Sequence, residues 1–273
     1  MPAPAAAIRL VDDAGQTLVF TRPPQRIVSL TPHLTELLFA VGAGAQLVGV
    51  DSASDYPAAA KTLPRVGDYS RINFERILAL MPDLVIVWVG GNRAADIHGL
   101  KQMGLPVLHT QATRLDDVAR LLRLVGQASG HAAAGEAAAR DYSAKLAALQ
   151  VRDARKPPVS VFYQVWDRPL MTVGGIHWIS DALALCGARN VFSDLRAASP
   201  VVSREAVLRR APELIVGGSD APDLRGPWQR FASLPAVKND AFVQVDADRL
   251  HRPTPRLIEG VTELCAAVAA YAR

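Results

Sequence analysis

Six histidines are the side chains in this sequence best suited to bind a metal ion or to act as a catalytic base. They are His33, His98, His109, His131, His177 and His251. No two have the spacing of a ligand pair on one helix, so a metal site would need distant loops to bring His33, His109 and His177 together. The nucleophile motif Gly-x-Ser-x-Gly is absent, and neither phosphate-binding glycine motif follows a predicted strand. We therefore assign no catalytic residue, metal ligand or cofactor, and a metal-dependent or hydrolytic enzyme is a minor alternative.

Four aromatic residues lie at the ends of predicted strands or in the loops that follow them: Tyr56, Tyr69, Trp88 and Trp166. A single loop aromatic is as often a partly buried core residue as a ligand contact. Together, four rings favour a large, flat, partly apolar ligand over an ion or a sugar. Burying them would contribute about 6 to 12 kcal/mol, against an association cost of about 4 to 15 kcal/mol. Polar groups or a preformed cleft must therefore supply the remainder of a tight affinity.

Composition narrows the class of protein further. Half of the 273 residues are apolar and 21% are charged, which is typical of a globular protein. The longest apolar runs, Leu84–Val89 and Ala266–Ala272, are far shorter than the roughly 20 residues of a membrane span, so we expect no membrane-embedded segment. The net charge of +4 comes from arginines spread among acidic residues, which argues against a nucleic-acid partner.

Strands and helices alternate through the first part of the chain. A β-hairpin is predicted over Ile8–Val19, and Pro32 begins a helix that ends at Gly42. The other predicted elements are strands over Arg26–Leu30, Val48–Val50, Leu84–Trp88 and Val107–His109, and helices over Asn73–Leu80 and Ala94–Met103. This alternation predicts a parallel sheet covered by helices.

Residues 116 to 154 are almost free of β-strand signals, and they predict a short helix followed by a long one over about Ala132–Val151. After this segment the alternation restarts and repeats two motifs of the first part. The helix end at Gly42-Ala43 matches Gly187-Ala188, and Glu75 with Pro82 matches Glu205 with Pro212. Each match alone could be a generic helix-to-strand connection, but two in the same order favour duplication. The prediction is two α/β lobes joined by a helix, with a ligand cleft between them.

The two cysteines, Cys186 and Cys265, lack metal-binding spacing. They would be buried thiols in a reducing compartment or one bridge in an oxidising compartment. Residues 1–7 do not form an export signal, so composition leaves two possibilities, a cytoplasmic protein or an exported one whose signal is missing from this sequence.

Motifs in both halves of the chain resemble the helical-backbone (class III) periplasmic binding proteins of ABC importers, and among them the vitamin B12 receptors. The matching segments are Arg26-Ile-Val-Ser-Leu-Thr-Pro-His-Leu-Thr-Glu36, Ser54-Asp-Tyr-Pro57, Asn73-Phe-Glu-Arg-Ile77, Pro82-Asp-Leu-Val-Ile86, Trp88-Val-Gly-Gly-Asn92, Leu185-Cys-Gly187, Asn190-Val-Phe192 and Val202-Ser-Arg-Glu205. The resemblance covers about residues 24–270. It implies an N-terminal hairpin (1–22), an N-terminal α/β lobe (23–115), a linking segment with one long backbone helix (116–156) and a C-terminal α/β lobe (157–273).

The resemblance also implies a function, the capture of cobalamin or a related corrinoid for an ABC importer, with no enzymatic step. The residues that it places at the ligand are Tyr56, Tyr69, Trp88, Gly90, Gly91, Trp166, Asp248 and Arg252. Glu75 and Glu205 resemble the carboxylates with which such receptors dock on the permease, which works with its ATPase. A simpler explanation for both is that acidic residues suit the first turn of a helix.

One departure from the pattern concerns the C-terminal lobe. Some vitamin B12 receptors carry an aromatic residue just before Val202-Ser-Arg-Glu205, where this chain has Ala197-Ala-Ser199. Either this wall of the site is more open or Trp166 compensates, so a haem or ferric-siderophore receptor is the alternative. The resemblance further implies a monomer in the periplasm, where Cys186 and Cys265 would form a disulfide.

Overall fold

A computed structural model describes residues 7–149, 157–221 and 223–271, and in it the chain forms two compact units. The N-terminal unit comprises residues 1–112 and 116–143, and the C-terminal unit comprises 113–115 and 144–273. The predicted end of the long helix at Val151 and the predicted lobe boundary at 156/157 involve residues outside the described ranges. The division into four segments stays a prediction.

The N-terminal unit and the helix that leaves it contain six strands and five α-helices among the described residues. In chain order they are β1 (Ile8–Val11), β2 (Thr17–Phe20), β3 (Ile27–Ser29), α1 (Pro32–Ala40), β4 (Leu47–Val50), α2 (Phe74–Ala79), β5 (Leu84–Trp88), α3 (Ala94–Gln102), β6 (Val107–Thr110), α4 (Asp117–Ala128) and α5 (Ala132–Ala148). The chain passes from the N-terminal to the C-terminal unit within α5. The long linking helix that the sequence predicts is therefore present.

Strands β3 to β6 form one parallel sheet in the order β4-β3-β5-β6. Val28 and Val85 are fully buried at its centre, and Ile77 of α2 and Leu100 of α3 pack in the same apolar cluster. The apolar strand residues are thus buried beneath helices, as expected for a parallel sheet.

The C-terminal unit repeats this arrangement. Its elements are β7 (Val159–Gln164), β8 (Trp166–Asp167), β9 (Leu170–Met171), α6 (Trp178–Leu185), β10 (Ala188–Asn190), α7 (Arg204–Arg210), β11 (Leu214–Gly218), α8 (Pro235–Lys238), β12 (Phe242–Val245), α9 (Ala247–Leu250) and α10 (Leu257–Tyr271). Four of these strands form a parallel sheet in the order β10-β7-β11-β12. In both lobes the first strand along the chain lies between the second and the third, which supports duplication and confirms the predicted fold class.

The hairpin β1–β2 is fastened to β6 through a buried carboxylate. Asp12 Oδ2 lies 2.5 Å from His109 Nδ1 and accepts the His109 backbone N–H at 3.1 Å, while Asp12 Oδ1 accepts the backbone N–H groups of Ala14 and Gln16. Although burial opposes ionisation, these hydrogen bonds, led by that from Gln16, hold the pKa of Asp12 below its ordinary value. The hairpin is therefore part of the N-terminal unit.

A disulfide joins Cys186 to Cys265 and confirms the predicted bridge. Cys186 ends α6 at a buried position, and Cys265 lies on α10. The bond closes a loop whose ends are 79 positions apart, so it constrains most of the C-terminal unit. No α-helix within the described residues has the length and apolarity needed to span a membrane.

Candidate functional site

Most of the predicted ligand residues follow the carboxyl ends of the parallel strands. Trp88 is the last residue of β5, Trp166 comes two residues after β7, and Asp248 and Arg252 follow β12. In open α/β sheets this edge is where ligands usually bind, because loops there are free to vary above a fixed framework. The predicted ligand residues therefore lie at the carboxyl edge of each sheet.

The Trp88 indole is held in place by its neighbours. His33 packs edge-on against it, with ring centroids 5.1 Å apart, and Gly90 and Gly91 lie against the indole. A Cβ atom at Gly91 would lie 2.2 Å from Trp88 Cε3, and one at Gly90 would lie 2.8 Å from Nε1. Glycine is thus needed at both positions for the loop to pass over the ring. Packing against Trp88 therefore explains why these two predicted site residues are glycines.

Asn92, which the sequence analysis did not single out, fixes the loop after Trp88. Its side-chain oxygen accepts the Trp88 backbone N–H at 2.8 Å, and its amide nitrogen donates to the Leu30 carbonyl at 3.1 Å. Asn92 is buried and ties together the loops that follow β3 and β5. Its position four residues after Trp88 is the sequence feature that could have indicated this role.

Tyr56 lies in the loop after β4 with 46% of its surface exposed. Arg65 organises this loop, since its guanidinium donates to the carbonyls of Asp51, Ser54 and Lys61. The fully buried hydroxyl of Ser54 also lies 2.9 Å from that of Thr35 on α1. The backbone beside Tyr56 is therefore fixed from two sides.

Tyr69 lies at the tip of a tight turn and is 80% exposed. Asp68 closes the turn, because its carboxylate accepts the backbone N–H groups of Ser70 and Arg71 and the Ser70 hydroxyl. The Ser70 side-chain hydrogen bond is the largest of the effects that lower the pKa of Asp68. The Ser52 hydroxyl donates to the Gly67 carbonyl, which links this turn to the loop that carries Tyr56.

Trp166 lies on the short hairpin β8–β9, an element that the sequence analysis missed. The ring is 56% exposed, and its Nε1 donates to the Arg168 carbonyl at 3.0 Å. Asp167 accepts from Arg204 at 2.7 Å and from Arg168 at 3.1 Å. A two-residue strand carries too little periodicity to be predicted from sequence.

Asp248 and Arg252 form an ion pair at 2.6 Å. The Arg252 side chain is 13% exposed and Asp248 is 55% exposed, so the carboxylate is the more accessible partner. Beneath them, His251 hydrogen-bonds the Tyr163 hydroxyl at 2.8 Å, and the Trp178 indole N–H donates to the Leu250 carbonyl. The structure thus brings Asp248 and Arg252 together as an ion pair on a supported loop.

The three histidines considered for a metal site have separate structural roles. His33 packs on Trp88, His109 pairs with Asp12, and His177 begins α6 by accepting the Ile179 backbone N–H at 3.1 Å. Burial lowers the pKa of His177 to about 3, with a smaller contribution from His251. Across the described ranges, no group of three histidine, cysteine, aspartate or glutamate side chains could hold a metal ion.

Glu75 and Glu205 are exposed residues in the first turns of α2 and α7. Each helix begins at a polar cap, since Asn73 accepts the Arg76 backbone N–H and Ser203 accepts that of Ala206. The Glu205 backbone N–H, and then the Ser203 hydroxyl, lower the pKa of the Glu205 carboxyl. The two glutamates therefore occupy equivalent, solvent-facing positions in the two lobes.

Comparison with known proteins gives a consistent result. The sequence model of a family described as periplasmic binding protein matches residues 27–248. A vitamin B12-binding protein of Vibrio parahaemolyticus is 38% identical over 244 residues, which are 89% of each chain. The crystal structure of the periplasmic vitamin B12 binding protein BtuF of Vibrio cholerae is 36% identical, with a TM-score of 0.83 over 92% of this chain and 99% of that chain. A periplasmic haem-binding protein, RhuT of Roseiflexus sp. RS-1, is 26% identical with a TM-score of 0.79, covering 91% and 99% of the two chains.

Proposed function

This chain belongs to the family of periplasmic binding proteins, and from that premise we propose that it captures cobalamin or a related corrinoid in the periplasm and delivers it to an ABC importer. The observation that carries this proposal is the 38% identity to a vitamin B12-binding protein over 89% of the chain. The predicted position of the ligand between the lobes stays a prediction.

The side chains at the two sheet edges suit a corrinoid. Trp88, Tyr56, Tyr69 and Trp166 supply broad apolar faces that could cover a flat ring system. Asp248 and Arg252 supply a hydrogen-bond acceptor and donors for the amide groups at its rim. Each lobe thus offers aromatic contact, and the C-terminal lobe adds polar groups, the two kinds of contact that small-molecule receptors use.

Binding would be tested by isothermal titration calorimetry with cyanocobalamin. We expect one site per chain with a dissociation constant below about 1 μM, equivalent to more than about 8 kcal/mol. Neither heat nor a thermal shift at micromolar ligand would overturn the assignment of vitamin B12 while leaving the family unaffected. Light scattering of the same sample should give a monomer.

The alternative ligand is haem or a ferric siderophore, supported by the fold shared with a haem-binding protein. Absorbance titration with haemin and with a ferric hydroxamate distinguishes it from a corrinoid. Saturable binding of haemin at lower concentration than cyanocobalamin would favour this second function.

The proposed role is capture without chemistry, so we assign no catalytic residue and no cofactor, and the corrinoid is the cargo. The enzyme alternative predicts bound zinc by elemental analysis, or ester hydrolysis that is lost in His33→Ala or His177→Ala. Either result would contradict a purely binding role.

We further propose that Glu75 and Glu205 dock on the permease of the importer, one glutamate for each half. Reversing both charges, in E75K/E205K, should abolish uptake and leave cyanocobalamin affinity unchanged, because like charges repel across such an interface. The control is E136K/E259K, which reverses one exposed glutamate in each unit elsewhere. If affinity falls as much as uptake, the two glutamates belong to the ligand site instead.

A further inference from the structure

A pocket of about 350 Å³ lies beside Trp166 in the C-terminal lobe. Its described lining comes from the end of β7, from the hairpin β8–β9 and from the chain after β11: Gln164, Val165, Trp166, Asp167, Arg168, Asp220, Ala221, Asp223 and Pro227. Asp248 and Arg252 are not in this lining. The pocket is therefore a separate feature of the same sheet edge.

Gln164 presents an amide donor to this pocket. The residue is only 2% exposed, and its Oε1 accepts the Trp228 indole N–H at 2.8 Å. Because an indole nitrogen can only donate, this contact fixes which end of the amide is oxygen. The Gln164 Nε2 group makes no hydrogen bond to another residue in the described ranges. This donor is therefore available to a ligand that enters the pocket.

Asp220 and Asp223 line the same pocket. Asp220 and Asp223 form no ion pair with a described residue, whereas the remaining lining carboxylate, Asp167, is paired with Arg168 and Arg204. Gly218 makes room for Asp220, since a Cβ atom at position 218 would lie 2.3 Å from Asp220 Oδ1 and 2.8 Å from His251 Cε1. The pocket thus combines the amide donor of Gln164 with the carboxylates of Asp220 and Asp223 as acceptors, although Asp223 Oδ1 also accepts the backbone N–H groups of Arg225 and Gly226.

We propose that this pocket binds a primary carboxamide of the ligand and excludes a carboxylate at the same position. The amide carbonyl would accept from Gln164 Nε2, and the amide NH₂ would donate to Asp220 or Asp223. A carboxylate could accept from Gln164, but it would bring a third negative charge against the two aspartates. The inference rests on the proposed function: corrinoids carry primary amides at their rim, whereas haem carries two carboxylates, so the pocket selects between the two ligand classes.

The test compares cyanocobalamin with its three monocarboxylic acids, in each of which one side-chain amide is hydrolysed to a carboxylate. We expect at least one isomer to bind the wild-type protein about tenfold or more weakly than cyanocobalamin. Asp220→Asn should recover most of that loss, because it removes a repelling charge while retaining a hydrogen-bond acceptor. Asp194→Asn, which makes the same charge change at an exposed residue paired with Arg210, should not.

Gln164→Glu tests the donor directly. Its carboxylate can still accept from Trp228, but it replaces the Nε2 donor, so cyanocobalamin should bind about tenfold or more weakly. Gln229→Glu, at an exposed position, is the charge-matched control, and the thermal midpoint of each variant checks folding.

The outcomes separate the two proposals. Equal binding of all three acids and of cyanocobalamin to the wild-type protein, or unchanged cyanocobalamin affinity in Gln164→Glu, would overturn the pocket assignment and leave the corrinoid function standing. No binding of cyanocobalamin to the wild-type protein would overturn the proposed function and this inference with it.

Discussion

The two lobes share a sheet order but differ at the end of the third strand of each sheet. In the N-terminal lobe β5 ends in Trp88, whose ring is held by His33 and by the glycines that follow. In the C-terminal lobe β11 ends in Gly218, and the space is taken by Asp220 and His251. One lobe thus places an aromatic ring on the sheet edge itself, whereas the other carries its ring, Trp166, on a hairpin beside a pocket.

The chain that follows the third strand also differs. The N-terminal lobe continues into the nine-residue helix α3 before its last strand, whereas the C-terminal lobe has only the four-residue α8 among the described residues at this point. The strand order and the helix caps, such as Asn73 and Ser203, are alike in the two lobes, while the loops at the carboxyl edge of the sheets differ. A duplicated framework is constrained by packing, and its edge loops are free to specialise.

The disulfide is the largest expected difference in stability between the lobes. Replacing both cysteines, in C186S/C265S, should destabilise the C-terminal lobe by about 4 to 5 kcal/mol, because the bond closes a long loop in the unfolded chain. Denaturant unfolding followed by hydrogen exchange in peptides of each lobe would measure it. Equal loss of protection in both lobes, or none in either, would contradict a lobe-specific role.

The counterpart in the N-terminal lobe is the buried contact between Asp12 and His109. Asp12→Ala should cost about 3 kcal/mol, since it removes one partner of a buried pair and three backbone hydrogen bonds, from Ala14, Gln16 and His109. Asp12→Asn, which keeps an acceptor oxygen, should cost less. Urea unfolding monitored by circular dichroism would rank the three proteins, and equal stability would show that the hairpin is not fastened through this carboxylate.

Acid should destabilise the two lobes in different pH ranges. The pKa of buried His177 is about 3 in the folded protein, below the ordinary histidine value, so the unfolded chain binds a proton more readily and stability falls as pH drops below about 6.5. This predicts a loss of about 2 kcal/mol in the C-terminal lobe between pH 7 and pH 5. The pKa of Asp12 is lowered from 3.8, so its stabilising contribution persists above that pH and is lost only as pH falls further.

The measurement is hydrogen exchange of each lobe at pH 7 and pH 5, corrected for the intrinsic exchange rate. His177→Asn, whose side-chain oxygen can still accept the Ile179 N–H, should reduce the pH dependence of the C-terminal lobe and leave the part due to His251, whose pKa burial also lowers. If its pH dependence matches that of the wild-type protein, His177 is not the group responsible.

The smallest expected effect compares Trp88 and Trp166, the two tryptophans predicted to contact the ligand. Trp88→Ala should weaken cyanocobalamin binding about tenfold more than Trp166→Ala, a difference of about 1.4 kcal/mol, because the Trp88 ring is already held in place while the exposed Trp166 ring must be immobilised on binding. Calorimetry on both variants and on the corresponding phenylalanine variants would measure this. A larger loss at Trp166 would reverse the assignment of the stronger contact.

Most of the fold follows from local signals. Pro32 at the start of α1, the glycine after its end and the apolar run of β5 are sufficient to predict those elements, and the repeated glutamate and proline spacing predicted two equivalent lobes. The hairpin β8–β9 could not be predicted, because two strands of two residues each have no periodicity of their own.

Part of the candidate site likewise follows from local sequence, and part depends on the tertiary structure. The sequence alone determined that aromatic residues lie at or after strand ends and that paired glutamates begin two helices, because those features depend on position relative to local elements. Only the tertiary structure decided which groups support them: Asn92 bonds to a carbonyl 62 positions away, and Gln164 receives its hydrogen bond from a residue 64 positions away. Such partners are selected by the packing of distant segments, which leaves no local pattern in the chain.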